Sequence, residues 1–275
     1  MLKKKSSNFT PQSTTAMIMA IPTEQNEIKQ LGSTLLNVGT LLLGAGASTG
    51  RTRKTINRIA ESFGYETDLL VSHRTIMLTI RDEQNDFFFN NLKRSPPHGV
   101  NFKLLTGISR LSWQVVEDDL TIQQINDQLS RISALPHYPR WAVLLFVGLA
   151  GSSFCRLAEG DALDMLTVLI ATVTGLFVRQ EAHRLKFNPY ICIYCAALTA
   201  SFIAASAYKF GGGYVHEPAF STSVLFLIPG VPLINSFSDM IDGNLNNAMI
   251  RGMNGFIISF AIGLGLLTSM FIYGL

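Results

Sequence analysis

The sequence predicts an α-helical multi-pass membrane protein that carries a small α/β domain near its N-terminus. The 275-residue chain is 48% hydrophobic and 15% charged, with a mean hydropathy of +0.28, whereas soluble proteins carry about 25% charged residues. The charges are also unevenly distributed, because most of them precede Trp141 and mainly apolar sequence follows it. A polar first part and a membrane-embedded second part are therefore expected.

Three domains follow from this distribution. Residues 1–27 are predicted to be a disordered cytoplasmic tail, because Lys3–Lys5 is followed by polar sequence and not by the apolar segment that a signal peptide needs. Residues 28–139 are predicted to form the cytoplasmic α/β domain. Residues 140–275 are predicted to form the transmembrane domain.

The α/β domain is predicted because some stretches of residues 28–139 have the periodicity of a helix and others are typical of strands. Apolar residues recur at three- and four-residue steps from Ile28 to Leu42, and a second helical pattern ends at Gly64. The stretches "DLLVSH" and "TIMLTIRD" are typical of short strands, and "FFFNNLKRSPPHG" is interpreted as a loop or an edge strand. Two further helices are predicted before the membrane, from Phe102 and from Thr121.

Five apolar segments are long enough to approach the roughly 20 residues that cross a bilayer as a helix. They are residues 140–157, 162–178, 190–208, 219–234 and 252–275. Basic residues concentrate on one side of these segments, which predicts a cytoplasmic N-terminus and a C-terminus on the opposite side of the membrane.

The fourth segment ends in "IPGVPLINSFSDMIDG". Pro229, Gly230 and Pro232 are expected to break the helix, because prolines remove backbone donors and clash with the preceding turn. A break at membrane depth is tolerated where the backbone faces protein or water, and transporters use such breaks to bind substrates. Asn235 and Asp239 would share one face if the helix resumes. A helix that simply ends before a polar loop is an equally open interpretation.

The stretch "LLLGAGASTGR" resembles a phosphate-binding turn at first sight. The spacing of Gly44, Gly46 and Gly50 does not match a dinucleotide motif, and a helical pattern precedes it, so a junction between two helices is predicted instead. Arg51 and the basic residues after it could bind an anion or could form a solvated helix face.

Other site classes receive little support from the sequence. Three cysteines within apolar segments favour buried small side chains over a disulfide or metal site, and neither a cofactor nor a metal is predicted. The basic residues do not form a patch with interleaved aromatic residues, so no nucleic-acid partner is expected. Asp161 and Asp164 are expected to be solvated. A two-aspartate protease is disfavoured because Asp161 and Asp239 lie at opposite ends of their spans.

The motifs "GAST-x-R" at residues 46–51 and "IPGVPLINSFSDMIDG" resemble those of the threonine/serine exporter family, ThrE. The stretches "HYPRWAVLLFVGLAGSSFCRL" and "FVRQ" resemble the larger chain of the split YjjP/YjjB form of that family. The likeness extends from about residue 28 to the C-terminus. It implies an exporter of the inner membrane and not an enzyme.

The resemblance also implies roles for particular residues. Pro229, Gly230 and Pro232 would expose backbone along the substrate path, and Asn235 with Asp239 would supply a polar or proton-coupling pair. Arg179 is a candidate partner for an anionic substrate. The alternative is that Arg179 is one of the cytoplasmic basic residues that set the orientation of the helix in the membrane. The family motif in the cytoplasmic domain comprises Gly46, Ala47, Ser48, Thr49 and Arg51.

The predicted function is a subunit of a secondary-active exporter of small carboxylates, with succinate or another dicarboxylate as substrate. The resemblance implies an oligomeric complex in the lipid bilayer with a separate small membrane protein of the YjjB type, which would supply the second membrane half. An amino-acid exporter subunit for threonine and serine is the first alternative. A non-transporting scaffold or sensor is the second.

Overall fold

The computed structural model describes residues 12–81, 88–96, 99–136, 138–210 and 217–274. The protein is mostly helical and divides into two compact units. The first unit comprises Met1–Leu135 and Ser238–Asn247, and the second comprises Pro136–Phe237 and Ala248–Leu275. A short segment near the C-terminus therefore belongs to the N-terminal unit, which the linear sequence did not indicate.

The N-terminal part of the first unit contains four helices and three strands. In chain order they are α1 (Gln12–Gly44), α2 (Thr49–Ser62), β1 (Glu66–Val71), β2 (Thr75–Arg81), β3 (Phe88–Arg94), α3 (Phe102–Glu117) and α4 (Ile122–Ser133). The strands form an antiparallel sheet in the order β1-β2-β3. The stretch that was predicted as a loop or an edge strand is the edge strand β3.

The core of the first unit lies between the sheet and its helices. Side chains of β2 alternate between buried and partly exposed, with Ile76, Leu78 and Ile80 fully buried. They cluster with apolar residues of α1, α2, α3 and α4, such as Leu35 and Ile56. This packing holds α2 in place, and α2 is the helix that follows the predicted glycine junction.

The backbone is helical from Gln12 onwards, whereas the predicted tail extends to residue 27. The sequence "STTAMIMAI" contains ordinary helix formers such as Ala and Met, which explains the earlier start. The first 11 residues of the predicted tail lie outside the described residues, and the cytoplasmic location of this unit remains a prediction.

The second unit consists of apolar helices. Four helices are long and apolar enough to cross a membrane, and one bent pair would make a fifth span. The four are α5 (Arg140–Leu157), α6 (Ala162–Arg184), α7 (Pro189–Phe210) and α10 (Leu245–Tyr273). The second spanning helix, α6, continues six residues beyond its predicted end at residue 178. Arg179 therefore lies within this helix and not in a flanking loop.

The fourth predicted span is interrupted. It consists of α8 (Glu217–Thr222), a short 3₁₀ turn at Leu225–Leu227 and α9 (Gly230–Ile241), and the axis bends by 64° at the break. The interruption falls at residues 228–229. Pro232 does not add a second break, because it lies in the first turn of α9, where its missing N–H has no helical partner to lose. The helix resumes and extends beyond residue 234 to Ile241.

Small residues allow the helices of the second unit to approach closely. A Cβ atom added at Gly175 of α6 would lie 2.9 Å from the carbonyl oxygen of Ala196 on α7. One added at Gly265 of α10 would lie 2.7 Å from the Cβ of Ala197. Helices in lipid associate through such close packing, because apolar burial gives little driving force there.

The expectation that Asp164 is solvated was wrong. Its side chain is fully buried, and its Oδ2 accepts a hydrogen bond of 3.0 Å from the N–H of Asp161. Asp161 in turn accepts from the N–H of Asp164, so the two residues form a capping box at the start of α6. The exposed Asp161 and the buried Asp164 thus satisfy the amide groups that begin this helix.

Candidate functional site

The glycine junction is a Schellman motif that ends α1. The N–H of Gly46 donates to the carbonyl of Leu43, and the N–H of Ala47 donates to the carbonyl of Leu42. Gly46 has a φ of +91°, a backbone conformation that L-residues other than glycine rarely adopt. Gly46 is therefore required by the end of α1, which supports the predicted helix junction over a phosphate-binding turn.

The residues after Gly46 form the N-terminus of α2. Ser48 is the N-cap, and its Oγ accepts a hydrogen bond from the N–H of Arg51 at 3.3 Å. The N–H of Thr49 donates to Oδ1 of Asp239 at 2.9 Å. Asp239 is fully buried, and its carboxylate lies where the dipole of α2 favours negative charge.

Asn247 makes a second connection to the same turn. Its Nδ2 donates to Oγ1 of Thr49 at 3.0 Å and to the carbonyl of Val71 at 2.7 Å. Asn247 is 5% exposed, so it ties the start of α2 to the end of β1 inside the unit. The sequence analysis did not single out this residue, because 198 positions separate it from Thr49 and a lone Asn gives no periodic signal.

Two motifs that lie almost 200 residues apart in sequence thus meet within the first unit. Thr49 of the "GAST-x-R" stretch contacts Asp239 of the proline-glycine stretch and Asn247 just after it. Gly50 lies beside Asp242, since a Cβ atom added at Gly50 would collide with Oδ2 of that residue. We call Thr49, Asp239 and Asn247 the α2 clamp.

Residues 228–237 of the proline-glycine stretch belong to the second unit. Pro229 is buried, and Gly230 and Asn235 are half-buried. Asn235 and Asp239 both lie on α9 with one helical turn between them, as expected for a helix that resumes after the break. Whether these residues line a transport path remains a prediction.

Arg179 is half-buried on α6 of the second unit. Across the described ranges, no hydrogen bond or ion pair to its guanidinium is found. Neighbouring polar residues on α6 are occupied, because Arg140 of α5 pairs with Glu181 at 2.5 Å and donates to Gln180. Arg179 is therefore a cation of α6 that no carboxylate neutralises in the part of the chain that the structure describes.

Polar contacts also join α7 to α10 within the apolar part of the second unit. The hydroxyl of Tyr190 donates to Oδ1 of Asn254 at 3.0 Å, and the hydroxyls of Tyr194 and Thr268 lie 3.2 Å apart. Hydrogen bonds between spanning helices stabilise their association modestly, by about 0.6 kcal/mol on average in one well-studied case. The composition of these segments alone did not indicate these contacts.

Comparison with known proteins gives three relatives. Two are named "Probable succinate transporter subunit YjjP". The first, from Escherichia coli strain K12, is 26% identical over 87% of this chain and 93% of the relative. The second, from Klebsiella aerogenes, is 25% identical over 85% of this chain and 90% of the relative. A "Probable threonine/serine exporter" from Mycobacterium tuberculosis is 21% identical over 86% of this chain and 45% of the relative.

No solved structure matches the chain. The family model described as "Putative threonine/serine exporter" matches residues 33–273, which is nearly the whole chain. That family consists of membrane transporters and not enzymes. The chain therefore belongs to the ThrE family of threonine/serine exporters.

Proposed function

We propose that this protein is a subunit of a secondary-active exporter that carries succinate or a related dicarboxylate across the inner membrane. The relatives that match over about nine-tenths of their own length carry the succinate transporter name. The relative named as a threonine/serine exporter is less similar and is matched over 45% of its length. Both facts favour the dicarboxylate as substrate.

The interrupted fourth span is the structural observation that carries the transport proposal. Its axis bends by 64° between α8 and α9, and the break contains Pro229. Such a break withdraws backbone groups from helical hydrogen bonds, so they can bind a substrate or a coupling ion. We propose that Pro229, Gly230, Pro232 and Asn235 line the transport path.

An exporter of dicarboxylates needs at least one cation to hold its substrate. Arg179 is half-buried and has no ionic partner among the residues that the structure describes, so its guanidinium can donate two parallel hydrogen bonds to a carboxylate. We propose Arg179 as this cation. Arg184 on the same helix is exposed and pairs with Glu181 at 3.3 Å, which makes it a matched control.

Asp239 has two proposed roles in this scheme. As a buried carboxylate it could carry a coupling proton. As part of the α2 clamp, it connects the C-terminal end of α9 to the "GAST-x-R" motif within the first unit. The two roles predict different effects of Asn and Ala at this position.

The word "subunit" in the names of two relatives supports a multi-chain assembly. We propose that a small membrane protein of the YjjB type supplies the second membrane half. The N-terminus is proposed to be cytoplasmic, because Arg184 ends α6 and Lys186 follows it, whereas Glu159 and Asp161 precede it.

Threonine and serine are the second candidate substrates. The observation that favours them is the "GAST-x-R" motif, which resembles the corresponding motif of the family's amino-acid exporters. A zwitterion would need a carboxylate partner for its ammonium group as well as a cation for its carboxylate.

Efflux from intact cells tests the proposal. Cells that lack this chain are loaded with labelled succinate or threonine and then supplied with the chain, with its proposed partner or with both. We expect faster succinate efflux only when both are present, a loss of that gain with Arg179→Gln, and no loss with Arg184→Gln. An unchanged rate for both metabolites contradicts transport, and faster threonine efflux alone assigns the protein to the second candidate.

A further inference from the structure

A cleft of about 400 Å³ opens on the first unit, beside the α2 clamp. It lies between α2, α3 and the C-terminal end of α9. Its lining residues are Ser48, Gly50, Arg51, Lys54, Thr55, Arg58, Ser109, Trp113, Ser238, Ile241 and Asp242. A volume of this size is typical of small-molecule sites.

The cleft is strongly positive. Arg51, Lys54 and Arg58 recur at three- and four-residue steps, so they project from one face of α2. Asp242 is the one carboxylate among the lining residues, and three cations against one anion leave two positive charges. The N-terminus of α2 reaches this end of the cleft through Ser48 and Gly50, but the carboxylate of Asp239 already accepts its Thr49 N–H, so the positive charge of the cleft comes from the basic side chains.

One of the cations is already held in place. The Nη1 of Arg58 donates to Oγ of the buried Ser112 at 2.9 Å. Its guanidinium carbon also lies 3.7 Å from the centre of the Trp113 ring, in cation–π geometry. A pre-positioned guanidinium binds an anion at a lower cost in side-chain entropy.

The charges of the cleft are not neutralised within the protein. Among the residues that the structure describes, Arg51, Lys54 and Arg58 make no ion pair, and Arg51 and Lys54 are exposed. The neighbouring Arg53 points elsewhere, because its Nη2 donates to Asn244 at 3.4 Å and it does not line the cleft. The hydroxyls of Ser48, Ser109 and Ser238 also line the cleft and can accompany a bound anion, whereas the hydroxyl of Thr55 already donates to the carbonyl of Arg51 at 2.9 Å.

We propose that this cleft binds a small dianion. Two positive charges, a fixed guanidinium and several hydroxyls match two carboxylates or one phosphate. Two sources supply this chemistry: a dicarboxylate such as the exported one, or free phosphate. The identification with the exported substrate rests on the proposed function, whereas dianion binding itself does not.

Trp113 reports on the site directly. The chain has two tryptophans, so a Trp141→Phe variant leaves Trp113 as the single fluorophore beside Arg58. The purified full chain in lipid nanodiscs is titrated with succinate, inorganic phosphate or threonine at constant ionic strength. We expect a saturable change in Trp113 fluorescence with a dianion and none with threonine.

Variants of α2 distinguish specific binding at this cleft from nonspecific attraction of anions to a positive surface. The double variant Arg51→Gln/Lys54→Gln should raise the apparent Kd at least tenfold, whereas Arg53→Gln on the same helix should leave it unchanged. The charge-conserving variant Arg51→Lys/Lys54→Arg should retain binding, which shows that the loss in the double variant comes from charge and not from misfolding.

The outcomes separate the two ligand sources and test the proposal. Tighter binding of succinate than of phosphate identifies a dicarboxylate as the ligand of the cleft. Tighter binding of phosphate identifies free phosphate as the ligand. The proposal is overturned if neither dianion gives a saturable change, if Arg51→Gln/Lys54→Gln binds as well as the parent, or if Arg53→Gln weakens binding equally. If the chain binds a dianion but supports no efflux, the transport proposal is contradicted, whereas the proposal that this cleft binds a dianion still holds.

Discussion

Substitution of Asp239 has an effect that can be worked out from the α2 clamp. Its Oδ1 accepts the Thr49 N–H at 2.9 Å in a fully buried setting. A buried hydrogen bond to a charged group contributes about 1.5–3 kcal/mol, and a neutral one contributes about 1 kcal/mol. Asp239→Ala should therefore lower the opening free energy of the α2 N-terminus by about 3 kcal/mol. Asp239→Asn keeps a neutral acceptor and should cost about 1 kcal/mol.

Hydrogen exchange measures these differences at the site. A change of 1.4 kcal/mol is tenfold in an equilibrium, so amides at the start of α2 should exchange about 100-fold faster in Asp239→Ala and about 5-fold faster in Asp239→Asn. Asp118→Asn, an exposed carboxylate in the same unit, should change nothing. Equal acceleration by Asn and Ala would refute the hydrogen-bond reasoning.

The same variants separate the two proposed roles of Asp239 in transport. If the residue acts through the clamp, succinate efflux should follow the exchange data, with Asn retaining more activity than Ala. If Asp239→Asn abolishes efflux while the α2 amides exchange nearly as slowly as in the parent, the carboxylate acts as a proton carrier.

Three further substitutions test other parts of the structure. Gly46→Ala should cost about 1–2 kcal/mol, because its φ of +91° is left-handed, and this loss is measured as faster exchange at the α1–α2 junction. Asn247→Ala removes two buried hydrogen bonds and should cost about 2 kcal/mol by the same measurement, while the exposed neighbour Asn246→Ala should be neutral. Gly175→Leu should lower the Tm of the detergent-purified protein, because its Cβ would lie 2.9 Å from a backbone oxygen; Gly263→Leu, which faces open space, should not.

Much of the fold follows from local sequence patterns. The length of the apolar segments predicts the spanning helices, and the strand-like residue pattern predicts β1 and β2. Each of these patterns lies within a single helix or strand, so it can be found without knowing the tertiary contacts. The break near Pro229 was predicted from proline chemistry, whereas the expectation that Pro232 adds to it was wrong. Pro232 is compatible with a first helical turn, so only the structure distinguishes a breaking proline from a starting one.

The α2 clamp could not be predicted in this way. Its contacts join Thr49 to Asp239 and Asn247, and no pattern within one chain indicates which residues meet across 190 positions. The sequence therefore singled out the motif and Asp239 separately. It also left open whether the basic face of α2 is merely solvated, because a cleft arises only when α3 and the end of α9 pack beside that face.

Transport by purified components tests the central proposal most directly. Liposomes that contain labelled succinate are reconstituted with this chain, with its YjjB-type partner or with both, and a proton gradient is then imposed. We expect gradient-dependent release of succinate that requires both proteins and is lost with Arg179→Gln. Release no faster than from protein-free liposomes under every gradient, with both proteins inserted, would contradict it.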